Sequence, residues 1–221
     1  MCGRFVRTSP GEVIAAEFGV VRFTNADLRP RYNIAPSQLI DAIIRDGAEK
    51  RLEPMRWGFV ASFAKNSKLA PINARAETVA TSPFFRGAFR HQRCLIVADG
   101  FYEWRKDGRR KTPYFIHLRS GRPFGFAGIW SAPRNDAGTP FPSCAIVTCT
   151  PNDLMAPIHN RMPVILPAAA RDRWLDPSAG ADDLSTLLVP LPAEEMEAYA
   201  VSTVVNSPRN DSPACVRRVT S

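Results

Sequence analysis

The sequence predicts an α+β fold: a curled mixed or antiparallel, barrel-like sheet with flanking helices, in a single domain spanning residues 1–221. Three observations lead there. Short runs of apolar, β-branched and aromatic residues recur along the chain, bounded by turn residues. Several short helical patterns are interspersed with them. The 20 prolines, well above the usual ~5%, are scattered among short segments as turns and strand borders. The sequence shows no internal repeat, low-complexity tract or linker.

In chain order, Gly3–Arg7 reads as a first strand. Ser9-Pro10-Gly11-Glu12 reads as a helix start, with Ser9 as N-cap, Pro10 in the first position and Glu12 reaching back as a capping box. That helix runs to about Phe18. Leu39–Arg45 and Arg51–Val60 are strands joined through the hairpin signal Asp46-Gly47. Ser82-Pro83 opens a short helix through Phe89. Four strand-like runs follow: Arg93–Ala98, Tyr114–Leu118, Phe124–Trp130 and Cys144–Thr148. Lys106-Asp107-Gly108 and Ser120-Gly121 supply turns between some of them. Helical patterns return at Pro151–Ile158, Ala168–Leu175, Asp182–Leu188 and Ala193–Tyr199, and Val201–Asn206 reads as a last strand.

Composition narrows the function. A chain that is 45% hydrophobic and 10% aromatic is neither disordered nor fibrous. No run approaches the ~18 apolar residues of a membrane-spanning helix, and Met1-Cys2-Gly3-Arg4-Phe5 lacks the apolar core of a signal peptide, so the expected location is cytoplasmic. The net charge is +8, and its excess lies in the first half: residues 1–112 hold 20 Lys+Arg against 11 Asp+Glu. Arginine outnumbers lysine 24 to 5, and the guanidinium fork suits bidentate phosphate contacts. A coding bias towards arginine explains the ratio equally well, but not the position of the excess. A polyanionic partner, most simply nucleic acid, follows.

The five cysteines form no C-x-x-C pair, which argues against a zinc ribbon and a disulfide framework. Cys94, Cys144 and Cys149 fall in apolar strand-like runs and read as inert core thiols, and Cys215 has no distinguishing partner. Cys2 differs. Aminopeptidase removal of Met1 exposes an α-amine and a thiol on adjacent carbons. Such a 1,2-aminothiol condenses with an aldehyde to an imine, and the thiol closes on the imine carbon as a thiazolidine. Both groups have ordinary pKa values near 8, so each is partly nucleophilic at neutral pH.

The other polar candidates keep two readings each. Asn73 and Arg75, two apart, share one face of an extended segment. Asn73 suits an incoming sugar or the α-amine and Arg75 a phosphate, or they are a turn residue and a surface cation. Glu103 lies between Tyr102 and Trp104, where desolvation raises a carboxyl pKa towards general acid/base use; otherwise it is a strand residue paired with Arg105. His159 follows a helical turn and is either a proton carrier or structural, whereas His91 and His117 read as structural or exposed. Trp57, Phe63, Tyr102 and Trp104 either stack on bases or pack in walls and core. No histidine pair has metal-ligand spacing, and neither a phosphate-binding glycine loop nor a serine nucleophile elbow is present. Neither metal nor cofactor is expected.

Six stretches occur together in order: Met1-Cys2-Gly3-Arg4-Phe5, Arg31-Tyr32-Asn33-Ile34-Ala35-Pro36, Trp57-Gly58, Ile72-Asn73-Ala74-Arg75-Ala76-Glu77-Thr78, Asp99-Gly100-Phe101-Tyr102-Glu103-Trp104 and Ile158-His159-Asn160-Arg161-Met162-Pro163. Val201-Ser202, Val205-Asn206, Asn210 and Pro213 extend the series. The set resembles the SRAP (SOS response-associated peptidase) family of abasic-site processing proteins over nearly the whole chain. The resemblance implies DNA repair by covalent capture of abasic sites in single-stranded DNA. On it, Cys2 is the nucleophile, Asn73 positions the sugar and amine, and Glu103 is the acid/base. His159 assists proton transfer and, with Glu103, slow reversal, while Arg4 and Arg75 contact phosphates. It also implies a monomer, nucleoid-associated when bound to DNA, with lyase and self-processing peptidase activity as accompaniments. An N-terminal-cysteine hydrolase and a non-covalent single-strand binder remain as competing expectations.

Overall fold

A computed structural model describes residues 2–24, 28–63, 69–134, 138–139 and 141–219. The expected removal of Met1 lies outside the described residues. In chain order the elements are β1 (Phe5–Arg7), α1 (Gly11–Phe18), β2 (Val20–Phe23), β3 (Arg31–Ile34), β4 (Leu39–Asp46), β5 (Glu49–Trp57), β6 (Asn73–Arg75), α2 (Ala76–Val79) and α3 (Arg86–His91). Then come β7 (Arg93–Ala98), β8 (Gly100–Asp107), β9 (Arg110–Leu118), β10 (Phe124–Ser131), β11 (Ser143–Cys149), β12 (Met162–Pro163), β13 (Ile165–Leu166), α4 (Ala168–Leu175), α5 (Ala181–Ser185) and β14 (Met196–Ala200).

The strands divide into two sheets. The larger curls into a ring, irregular rather than a true barrel: β11, β10, β7, β4 and β5 follow one another antiparallel, and β5 returns to β11 in parallel through Ser143↔Arg56 and Cys144↔Trp57. β6 adds to β11 in parallel, with Asn73 opposite Ile146. The smaller sheet runs β14-β9-β8-β1-β3 and is antiparallel throughout. β7, β10 and β11 are buried along almost their whole lengths, as strands covered on both faces must be. Side chains from both faces of the ring enter the main core: Phe126, Ile146 and Trp57 from one, Leu95, Ile43 and Leu52 from the other. Outside, α4 closes on β7: Trp174 Nε1 donates to the Cys94 carbonyl at 2.9 Å, and Arg93 Nε donates to the Trp174 carbonyl at 2.7 Å.

A second, smaller core lies on the five-stranded sheet, where Val6, Tyr102 and Phe115 meet Val201, Val205 and Cys215. The chain end therefore folds back over β1 and β8. The two sheets communicate through Asp99, between β7 and β8, which accepts from the amides of Thr8 and Ser9 at 2.5 and 2.8 Å and from the Ser9 hydroxyl.

That last bond corrects one expectation. Ser9 does not cap α1: Pro10 occupies the N-cap with no side-chain cap, and Ser9 is drawn to Asp99 instead, through its amide and its hydroxyl. Three other assignments also change. Pro151–Ile158 forms successive turns rather than a helix. Within Ala193–Tyr199 only Ala193–Glu195 is helical, as a 3₁₀ turn, and β14 follows. The open edge of β9 offers a row of backbone donors and acceptors that outweighs the helix preference of Ala, Glu and Met. Val201–Asn206 is no strand: Val201 makes one bridge to Arg218, and Thr203–Asn206 is a 3₁₀ turn capped by the Ser202 hydroxyl, which accepts from the Val204 amide at 3.3 Å. β8, the strand that carries Glu103, was not assigned from sequence.

Candidate active site

Cys2 precedes β1 and is fully buried, packed in the main core. Burial pushes its thiol well above the usual cysteine range, and the neighbouring Glu103 carboxylate adds to the rise. Asn73, at the start of β6, donates from Nδ2 to the Cys2 carbonyl at 3.0 Å. Its Oδ1 is buried and has no hydrogen-bond partner among the described residues. A parallel neighbour on β11 fixes that position, so the amide stands beside the first residues of the chain because β6 is locked into the ring.

Glu103 is buried on β8 and faces His159, with 4.0 Å between Oε2 and Nε2. Desolvation raises the Glu103 pKa to about 7. His159 is held below its usual range, chiefly by burial. The Arg161 backbone serves both states of the ring: its N–H donates to Nδ1 at 3.1 Å when the ring is neutral, and its carbonyl lies 3.2 Å away to accept from Nδ1–H when the ring is charged. Arg161 is itself fixed. Its guanidinium grips Glu77 with two bonds of 2.5 and 2.9 Å and donates to the Thr148 carbonyl at 2.5 Å. Glu77 lies in α2, so the Asn73 segment and the His159 segment are clamped together.

The structure therefore brings Cys2, Asn73, Glu103 and His159 into one cluster. At its mouth is an open groove of about 410 Å³ lined by Glu103, Trp104, Lys106, Lys111, His159 and Asn206. Trp104 is half-buried there, its Nε1 donating to Asn206 Oδ1 at 2.8 Å. Arg75 is exposed beside α2. Arg4 is partly engaged by the fold: it donates to Asn33 Oδ1 at 2.8 Å and to the carbonyls of Val205 and Asn206 at 2.9 and 3.2 Å. Of the four aromatics considered for stacking, Trp57 and Tyr102 are fully buried, with Trp57 Nε1 donating to Ile72 and the Tyr102 hydroxyl to Tyr32. They are core residues. Phe63 is exposed.

Sequence reasoning left three supporting residues without roles: Asn33, Glu77 and Arg161. Each sits inside a stretch already singled out, but the contact partner of each is remote in sequence. The other thiols fit the inert reading: Cys94, Cys144 and Cys149 are buried with raised pKa values, Cys149 to about 12. Among the described residues no group of three or more His, Cys, Asp or Glu is arranged to hold a metal ion.

Fold and cluster together define an α+β protein whose polar site is built around a cysteine at position 2. A family model described as SOS response associated peptidase (SRAP) matches residues 1–208, and the chain belongs to that family. It is 44% identical to the abasic site processing protein YoqW of Bacillus subtilis (strain 168) over 221 residues, covering 98% of this chain and 99% of that one. It is 31% identical to the abasic site processing protein YedK of Escherichia coli (strain K12), covering 99% and 100%. Among solved structures, a protein from Bacteroides thetaiotaomicron superposes with a TM-score of 0.89 at 26% identity, covering 99% of this chain and all of that one.

Proposed function

We propose that this protein processes abasic sites in single-stranded DNA by covalent capture on Cys2 once Met1 has been removed. The observation that carries the reading is the convergence of Asn73, Glu103 and His159 on the first residue of the processed chain. An abasic site is an aldehyde on a phosphate backbone, and a buried aminothiol beside a cationic groove is complementary to it.

The steps follow from the chemistry of the groups. Asn73 holds the Cys2 carbonyl through Nδ2, and its Oδ1 accepts from the α-amine, aiming the nitrogen lone pair into the groove. Glu103, with a pKa near neutrality, is present in both protonation states at pH 7 and takes or gives protons with little penalty. Its protonated form helps open the deoxyribose ring and protonates the hydroxyl that leaves as water when the carbinolamine becomes an iminium. The Cys2 thiol, neutral in its buried setting, then gives its proton to the Glu103 carboxylate. Its sulfur attacks the iminium carbon, and the iminium nitrogen keeps the electron pair of the former π bond. The thiazolidine closes with one water lost overall. His159, 4.0 Å from Glu103, passes protons between Glu103 and the sugar, and the same pair run backwards gives slow reversal. Arg4 and Arg75 hold phosphates. Self-processing at Met1 and strand cleavage at the lesion are secondary activities assigned to the same acid/base pair.

A denaturing gel tests the reading. A single-stranded oligonucleotide with one abasic site is expected to give a heat-stable shifted band that Cys2→Ala abolishes. Glu103→Gln is expected to slow its formation by roughly 10²-fold or more, as loss of a general acid/base does, and His159→Ala to alter formation or reversal. Cys2-dependent cleavage of amide substrates without a band assigns an N-terminal-cysteine hydrolase instead. Salt-sensitive binding alone leaves a non-covalent binder.

A further inference from the structure

The groove carries two lysines that the chemistry above does not use. Lys106 on β8 and Lys111 on β9 are register partners, both are exposed, and both line the groove beside Trp104 and His159. Directly opposed side chains in an antiparallel pair stand close, and like charges there repel. Among the described residues no carboxylate pairs with them: Asp107 is taken by Arg105, with 3.0 Å between Nε and Oδ2, and Glu103 faces His159. Neither lysine side chain has a hydrogen bond or ion pair among the described residues. They stand where a hairpin leaves the site, and Arg105–Lys111 holds five cations against the single acid Asp107. Such an arrangement is electrostatically incomplete without an anion. Lys106 lies three positions after Glu103, roughly 10 Å along an extended strand, so an anion seated there lies beside the reacting sugar rather than on it.

We propose that Lys106 and Lys111 form a two-pronged seat for a backbone phosphodiester of the single strand, next to the lesion-bearing nucleotide. The proposal rests on the abasic-site reading and deepens it, because it fixes the direction in which the strand leaves the site: along the β8–β9 hairpin.

The test is fluorescence anisotropy with a labelled single-stranded oligonucleotide carrying a central tetrahydrofuran abasic analogue, which has no aldehyde and cannot crosslink. The expected result is about tenfold weaker binding by Lys106→Ala/Lys111→Ala, with the log–log salt slope smaller by about 0.7, the value for one single-strand phosphate contact. Lys106→Arg/Lys111→Arg is expected to bind as the unmodified protein does. Arg22→Ala/Arg51→Ala, which removes the same charge from the other sheet, is expected to stay within twofold. Equal binding by the lysine-to-alanine variant, an equal loss in the arginine control, or no measurable binding by the unmodified protein overturns the seat. The covalent gel reports separately: a missing Cys2-dependent band overturns abasic-site capture and leaves the anisotropy comparison to decide the seat.

Discussion

Glu103 shows how one buried side chain ties stability to chemistry. With a folded pKa of about 7 against about 4.3 in an unfolded chain, the folded protein holds this proton more tightly than the unfolded one. The residue is accommodated without penalty below about pH 4, and stability is lost progressively as the pH rises to about 7. Glu103→Gln has no charge to bury, so at pH 8 it is expected to be more stable than the unmodified protein, by on the order of 2 kcal/mol, and little different at pH 4. Thermal melts across that range check this. Single-turnover crosslinking between pH 5.5 and 9 is expected to show an inflection near pH 7 that vanishes in the variant. That outcome would mark Glu103 as kept for function rather than for stability. Asn33 is the opposite case. It is buried, donates from Nδ2 to the carbonyls of Val205, Ser207 and Asn210 at 3.1, 3.0 and 2.8 Å, and accepts from Arg4. Asn33→Ala is expected to cost roughly 2–4 kcal/mol, since it orphans several buried groups at once, as measured by urea titration.

At the level of elements, β8 is the strand on which the site depends. It begins at Gly100, and a Cβ there would sit 2.9 Å from the Ile116 carbonyl oxygen and closer still to the Phe115 ring. Gly100→Ala is expected to force β8 and β9 apart, lowering the melting temperature and the crosslinking rate together, whereas Gly108→Ala at the hairpin turn meets no neighbour and pays only for its left-handed backbone. Chemical denaturation and the gel assay separate the two. The element scale also shows how far local sequence reaches. Arg93–Ala98 and Ala168–Leu175 fold within the limits that their patterns suggest, because each is a continuous apolar or helical run whose environment agrees with its propensity. The segment holding β14 was misread because its partner, the edge of β9, lies some eighty residues earlier and no local pattern records it. β8 escaped assignment for a related reason. Its mixture of glycine, aromatics and charges has no clean alternation, since one end is core and the other a solvent-exposed hairpin.

Across the whole molecule, the two ends of the chain meet at the site. Residues 203–216 cover the smaller core, and their carbonyls hold Arg4 and Asn33. Removing everything after Val201 is expected to lower the melting temperature sharply and to abolish crosslinking, although Cys2, Asn73, Glu103 and His159 all remain; circular dichroism and the gel assay check it. Residue type and order alone set the chemistry on offer: a cysteine at position 2, a carboxyl between aromatics, a histidine after a turn, a cationic first half and the ordered stretches that place the chain in the SRAP family. Those are properties of residue type and order, and they need no coordinates. Which of these groups stand together, and how far burial raises the Glu103 pKa, follow from tertiary packing. The Cys2–Asn73 bond, the Glu103–His159 approach and the Arg161–Glu77 clamp join residues 56 to 84 positions apart, and ring closure of the larger sheet brings such distant segments into one buried, low-dielectric place.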